Sequence, residues 1–584
     1  MSDGTPAAIT AELTSQVKKF NPFKSKSKRE EDDEDQGDEI DGTTIAGGGH
    51  TALDTVHHDL RVSDALKSFL SKEKIVKEGD IHSLNALLDK PVVSPPSYVL
   101  DRSHPLPEYF ISSSHNTYLK AHQLYGKSDA AAYEQILKGG ARCVEIDAWD
   151  NPDNRDEPKV THGWTLTSNI KFREVCEVVR DVVDYEATLP RVQGFGPSPI
   201  LISLENHCDA RGQARLVEIM KEVWGHRLLS SDIREKGHQE QLDPSHEPHV
   251  RLSDLGSKIA VIVEYHIPGE PDDSSSSSSS SEDEEEHKAH EAYKAQKQAT
   301  PATVIIPELA ELGVYAQSVK PPDNSWYSDG QLKNGPHHHL INVSESGLGP
   351  HLEANSAAVA KHNAHHLMRV YPKGTRISSR NLSPIPFWSV GAQICALNYQ
   401  RFGAPLQLNE ALFAGTAGYV LKPASLRAGG TRRQNLRKRR LKLRIAGASD
   451  VPLPKEREVD SLKPYVTCTL VHANADGTGE VKTKKKTGVY KPHRLQFLHR
   501  EASSPQTDPL WDEELEWEYE DDELVFLRLF IKSDDSFASN PILVLAALRL
   551  LYVGDNGWRF IRMLDLKGHE TGCTLLVRFE ITDV

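Results

Sequence analysis

The chain has 584 residues, a formal charge of −15 and a pI of about 6.0. That length calls for more than one domain, and the acidic balance argues against a general nucleic-acid binder. Six cysteines are scattered with no CxxC pair, and no apolar run reaches 18 residues. These counts argue against a disulfide framework, a thiolate zinc site and a membrane span.

Residues 1–50 are polar, and "KSKSKREEDDEDQGDE" (Lys24–Glu39) swings from basic to acidic, the composition of a disordered tail. Residues 51–103 are partly helical in pattern, with "SDALKSFLSKEKIV" and "DIHSLNALLDK". Asp80 is placed to cap the second helix. No D-x-[DN]-x-[DN]-G calcium loop occurs there, so the region is a degenerate EF-hand at most.

Eight strand-like runs follow between residues 104 and 402: "EYFISSSHN", "CVEIDAWD", "PKVTHG", "PILISLENHC", "KIAVIVEY", "HLINVSES", "HLMRVYPKG" and "QICALNYQ". Helical stretches such as "SNIKFREVCEVVRDVVDY" and "RGQARLVEIMKEVWGHRLL" separate several of them. Alternation of this kind predicts parallel βα units, and eight strands predict a (β/α)8 barrel of the TIM type. An acidic, serine-rich linker at 269–301, with eight consecutive serines, splits the barrel into halves at 104–268 and 302–426. On this count the split falls after the fifth strand. From 436 to 584 short strands without long helices predict an all-β sandwich.

Most of the barrel runs begin apolar and end polar, and TIM barrels place function at the C-terminal ends of their strands. Period-2 geometry points Glu145 and Asp147 the same way, and likewise Arg369 and Tyr371. Asn116, Glu145, Asp147 and Glu205 together form an all-oxygen set suited to a hard cation, calcium first and magnesium second. His115 and His162 are poor calcium ligands and are left for substrate. A hard cation, a carboxylate base and an acidic histidine suit phosphodiester chemistry.

The stretches "YFISSSHNTYL", "GGARCVEIDAWD", "VTHGWTLTSNIKF" and "PILISLENHC" resemble the X half of eukaryotic phosphoinositide-specific phospholipase C. "RVYPKGTRISSRNLSPIPFWSVGAQICALNYQ" and "NEALFAGTAGYVLKP" resemble its Y half, and the last 150 or so residues resemble its C2 domain, in a short form of the fungal and plant kind. The resemblance implies Ca2+ held by Asn116, Glu145, Asp147 and Glu205, with His115 stabilising the transition state. It makes His162 the general acid and Glu145 a candidate general base. Arg369, Tyr371 and Ser344 (or Asn342) would hold the inositol phosphates. Leu124, Trp164 and Leu166 would form a membrane rim.

One departure stands out. In "SKIAVIVEYH", Ile262 and Glu264 fall where the family carries two phosphate-binding lysines. A weakened selectivity for the 4,5-bisphosphate is therefore expected. Lys463 likewise replaces a common C2 aspartate, leaving Asp534 and Asp535 as remaining acidic groups. The expected partners are phosphoinositide lipids and an anionic membrane surface, reached by the basic runs Arg427–Arg444 and Lys482–Lys486. A monomer is expected, cytoplasmic and peripheral at the cytosolic face of membranes, with a nuclear pool as a further option.

Overall fold

The computed structural model describes residues 60–120, 127–161, 168–189, 198–233, 250–266, 304–328, 332–373, 379–430, 436–454, 457–492, 504–534, 542–554 and 556–584. Eight parallel strands close into a TIM-type barrel. They are β1 (Tyr109–Ser114), β2 (Cys143–Trp149), β3 (Ile200–His207), β4 (Ile259–Glu264), β5 (Gln317–Val319), β6 (His339–Ser344), β7 (Leu367–Tyr371) and β8 (Ile394–Leu397). β8 returns to pair with β1. Strands such as "IAVIVE" read as continuous apolar runs because both faces are covered.

The predicted number of barrel strands is right, but one member differs. "PKVTHG" supplies only Lys159–Val160, an antiparallel extension of β2 that pairs with Ile170–Lys171. The true fifth strand is Gln317–Val319, too short and too polar to stand out by pattern. The split therefore falls after the fourth strand rather than the fifth, giving two four-strand halves.

The helix Phe172–Thr188 buries Phe172, Val175, Cys176, Val179, Val182 and Val183 on one stripe. Asp209 caps the helix Ala210–Trp224 by accepting from the Gly212 N–H at 2.9 Å. Inside the barrel, Ile111, Cys143, Leu201, Ile262, Leu340, Leu367 and Ile394 form an apolar floor. The polar residues two and four positions further along each strand stand above it.

The C-terminal unit is an antiparallel sheet folded over one core. Its strands are β9 (Arg437–Ser449), β10 (Pro464–Ala473), β11 (Glu480–Lys486), β12 (Leu510–Asp521), β13 (Phe526–Ser533), β14 (Ile542–Arg549), β15 (Gly557–Leu564) and β16 (Glu570–Asp583). Arg528 donates to the Gln407 side chain, and Tyr552 donates to the Leu412 carbonyl, fixing this sheet to the barrel. The two N-terminal helices are present at Asp64–Lys72 and Ile81–Leu88, the second capped by Asp80. Leu66, Phe69 and Leu70 pack on Trp558, Phe560 and Leu576, so these helices belong to the sandwich side.

The basic run is reassigned by its strand partner. β9 lies antiparallel to acidic β12, and Arg439 pairs with Asp521, Arg440 with Glu516 and Glu518, and Arg444 with Asp512 and Glu73. Much of the charge assigned to lipid contact is neutralised within the sheet.

Below the barrel, His339 and His362 face each other through their Nε2 atoms at 3.0 Å, with His366 stacked on His339. Burial lowers His339 to about 4; burial, then His339, lowers His362 to about 3. Both rings stay neutral in the fold, whereas the unfolded chain takes up protons near pH 6.5. Stability is therefore complete above that pH and falls as pH drops toward 4, by about 2 kcal/mol per ring at pH 5. Denaturant titrations at pH 7.5 and 5 measure this. A double variant His339→Gln/His362→Gln should flatten the profile.

Candidate active site

β1 ends at Ser114, and the chain turns immediately. Asn116 takes a left-handed φ of 45°, a conformation asparagine tolerates better than most residues. The turn breaks the alternation of the strand, so neighbouring His115 and Asn116 both serve the barrel mouth. The Asn116 N–H donates to Glu145 Oε2 at 2.6 Å. Its side-chain oxygen accepts from the Tyr118 hydroxyl at 3.1 Å.

Glu145 and Asp147 project from β2 and Glu205 from β3, where the register sets Asp147 opposite Glu205. Carboxylate oxygens of the three lie within 4.8 Å of one another. Tyr118 also donates to Asp147 Oδ2 at 2.6 Å, while Asp147 Oδ1 is buried with no hydrogen-bond partner. Burial, then Glu205 and Glu145, push the Asp147 carboxyl well above the usual carboxylate range. A buried acceptor without a donor, among three converging carboxylates, fits a cation bound by oxygen. Asn116 is adjacent through its bonds to Glu145 and Tyr118.

His115 is half-buried, and its Nδ1 lies 2.8 Å from the Asn398 side-chain oxygen. With Nδ1–H donated to that oxygen, Nε2 is the nitrogen that remains for substrate. Asn398 is itself held by Asn381, whose oxygen accepts from the Asn398 N–H at 2.6 Å. Neither asparagine stands out in the sequence, because each works through a neighbour and carries no charge. Tyr118 escapes notice for the same reason.

Arg369 is buried at the centre of the mouth. One terminal nitrogen reaches Glu145 Oε1 at 2.7 Å and the other Asn342 Oδ1 at 3.1 Å. Its guanidinium carbon lies 5.4 Å from the centroid of the Tyr371 ring. Ser344 sits opposite Tyr371 and caps the helix Glu345–Asn363, accepting from the Gly347 N–H at 3.1 Å. Glu264 lies near Glu205 and Lys320; burial, then Glu205, raise its carboxyl. His162, Trp164, Leu166 and Leu124 lie outside the described residues, as does Asp535. In the sandwich, the Asp534 N–H donates to the Lys463 carbonyl. The described residues hold no second cluster of three metal-ligating side chains of this kind.

Fold and rim together define a split TIM-type barrel with a carboxylate site for a metal ion at its mouth. Comparison with known proteins gives the family. Residues 102–265 match the phosphatidylinositol-specific phospholipase C X domain, and residues 309–425 match its Y domain. A 1-phosphatidylinositol 4,5-bisphosphate phosphodiesterase of Dictyostelium discoideum is 31% identical over 482 residues, covering 76% of this chain and 55% of the relative. The human delta-3 form is 30% identical over 572 residues, covering 94% and 64%. The crystal structure of S. officinalis PLC21 superposes with a TM-score of 0.66 at 22% identity, covering 92% of this chain and 65% of that one. The chain thus spans between half and two thirds of the length of these proteins. It belongs to the eukaryotic phosphoinositide-specific phospholipase C family.

Proposed function

We propose that this protein is a calcium-dependent phosphodiesterase that cleaves phosphoinositides into diacylglycerol and inositol phosphates. The observation that carries this reading is the Glu145–Asp147–Glu205 cluster, with its unpartnered Asp147 oxygen, beside a histidine fixed in one orientation. Asn116, Glu145, Asp147 and Glu205 hold the calcium. Bound calcium lowers the pKa of a coordinated hydroxyl and offsets negative charge developing on phosphate.

Glu145 takes the proton of the inositol 2-hydroxyl, whose oxygen then bonds to phosphorus. The bond to the diacylglycerol oxygen breaks, and that oxygen takes a proton from His162. His115 donates to a phosphoryl oxygen as charge builds there. Water opens the cyclic phosphate with the acid and base roles reversed. Arg369, Tyr371 and Ser344 border the inositol ring and its phosphates. Leu124, Trp164 and Leu166 enter the membrane, which the protein meets as a peripheral monomer at the cytosolic face. No helix among the described residues is long and apolar enough to cross a membrane.

Selectivity for the bisphosphate is weakened in this reading. Ile262 belongs to the apolar floor, and Glu264 brings a carboxylate toward Glu205. Neither group replaces an ammonium ion facing phosphate. The same pair supports a second reading, a membrane-binding scaffold of this fold with little turnover.

Release of water-soluble inositol phosphates from matched vesicles of phosphatidylinositol, its 4-phosphate and its 4,5-bisphosphate tests both readings. Release is expected only with calcium, with rates for the three lipids within about tenfold, the worth of one charged hydrogen bond. Strong preference for the bisphosphate contradicts the selectivity proposal. No release from any lipid favours the scaffold.

A further inference from the structure

Strand β11 is an edge of the sandwich sheet, paired only with β10, and Val481–Lys486 are all exposed. The register sets Lys486 opposite Thr467 and Lys484 opposite Thr469, so these side chains share a face. Val466, Cys468 and Leu470 point into the sandwich core. Thr467 and Tyr465 therefore face outward with the two lysines. There, Tyr465, Thr467, Lys484, Lys485 and Lys486 line a cleft of about 300 Å³.

Three features make this cleft more than a charged surface. Lys486 Nζ lies 5.7 Å from the centroid of the Tyr465 ring, which orients the ammonium over the cleft. Lys532 stands opposite Tyr465 on β13 and adds a cation to the same face. Thr467 is 0% exposed, and its Oγ1 is buried with no hydrogen-bond partner. A hydroxyl donor beneath flexible ammonium groups, with no carboxylate in the lining, matches the acceptor oxygens of a phosphate. The basic run of β9 differs, since its arginines are paired with β12.

We propose that this cleft binds a phosphate group on a lipid headgroup, a phosphoinositide site separate from the barrel mouth. Thr467 donates to one phosphate oxygen, and Lys484 and Lys486 bind the others. The choice of lipid rests on the function proposed above; the phosphate chemistry rests on the cleft. Such a site holds the enzyme on membrane regions rich in its own substrate.

The test is co-sedimentation of the full chain in calcium chelator with two kinds of phosphatidylcholine vesicle. One carries phosphatidylinositol 4,5-bisphosphate and the other phosphatidylserine at matched charge. Lys484→Ala/Lys486→Ala should weaken binding to the first by about thirtyfold, at the usual worth of two interfacial lysines. Thr467→Val should weaken it by about tenfold, the worth of one hydrogen bond to a charged group. It should leave phosphatidylserine binding unchanged and not lower the melting temperature, because the hydroxyl has no partner to lose.

Unchanged phosphoinositide binding by Thr467→Val overturns the site. So does equal weakening on both vesicle types by the lysine variant, which would mark a general anionic face. If inorganic phosphate shifts the wild-type melting temperature as far as the vesicles do, the site belongs to a free anion and the lipid assignment falls. No turnover is read in chelator, so failure of the release assay and failure of this site are separate results.

Discussion

Asp147→Asn is expected to raise the melting temperature in calcium chelator while reducing inositol phosphate release by about three orders of magnitude. The two effects have one origin. Oxygens of Glu145, Asp147 and Glu205 lie within 4.8 Å of one another, and Asp147 is buried between the other two carboxylates. Two like charges at that spacing repel by about 3 kcal/mol at the effective dielectric of a protein site. Asparagine removes that repulsion and retains an oxygen to accept from Tyr118, which donates to Asp147 at 2.6 Å. With calcium the order reverses, because the wild-type cluster gains more from a divalent cation than a two-carboxylate cluster does. Thermal melts of both proteins, in chelator and in excess calcium, give four midpoints. A variant less stable than wild type in chelator would show that the cluster is held for structure rather than for a cation.

Arg369→Ala is expected to cost about 3–5 kcal/mol of stability, the usual penalty for stranding one partner of a buried ion pair. Arg369 and Glu145 are each about 4% exposed in their side chains and meet at 2.7 Å. Alanine leaves the Glu145 carboxylate buried beside Asp147 and Glu205 with no cation to balance it. The thermal midpoint in chelator should fall by about 10 °C. A double variant, Glu145→Gln/Arg369→Ala, removes the stranded charge and should recover most of that loss without recovering turnover. Arg369→Lys should rescue poorly, since the guanidinium reaches Glu145 and Asn342 with separate nitrogens and an ammonium is a single point charge. Recovery of full stability by lysine would mean that charge alone is required.

Both predictions turn on residues that could be picked from the sequence, but for reasons it did not contain. Arg369 and Tyr371 were legible as a same-face pair near a strand end, and the family resemblance set them against inositol phosphates. The buried bond from Arg369 to Glu145 joins residues 224 positions apart and needs the closed barrel. The lipid-binding reading of Arg437–Arg444 met a similar limit. A run of basic residues looks solvated in one dimension, and only the register with Glu513–Asp521 shows that much of its charge is already paired.

What the sequence determined by itself was the class of fold, the family and the identity of the acidic cluster. Those rest on local patterns: apolar runs ending in polar residues, period-2 placement of Glu145 and Asp147, and long ordered motifs. What only the tertiary structure decided was which short segments close the barrel and which neutral residues hold the site. Gln317–Val319 is a strand because β4 and β6 flank it, not because three residues carry a pattern. Asn398 and Tyr118 matter because folding brings them to His115, Asn116 and Asp147. Propensity and periodicity act over a few residues, whereas closure, ion pairing and ligand orientation arise from contacts across hundreds.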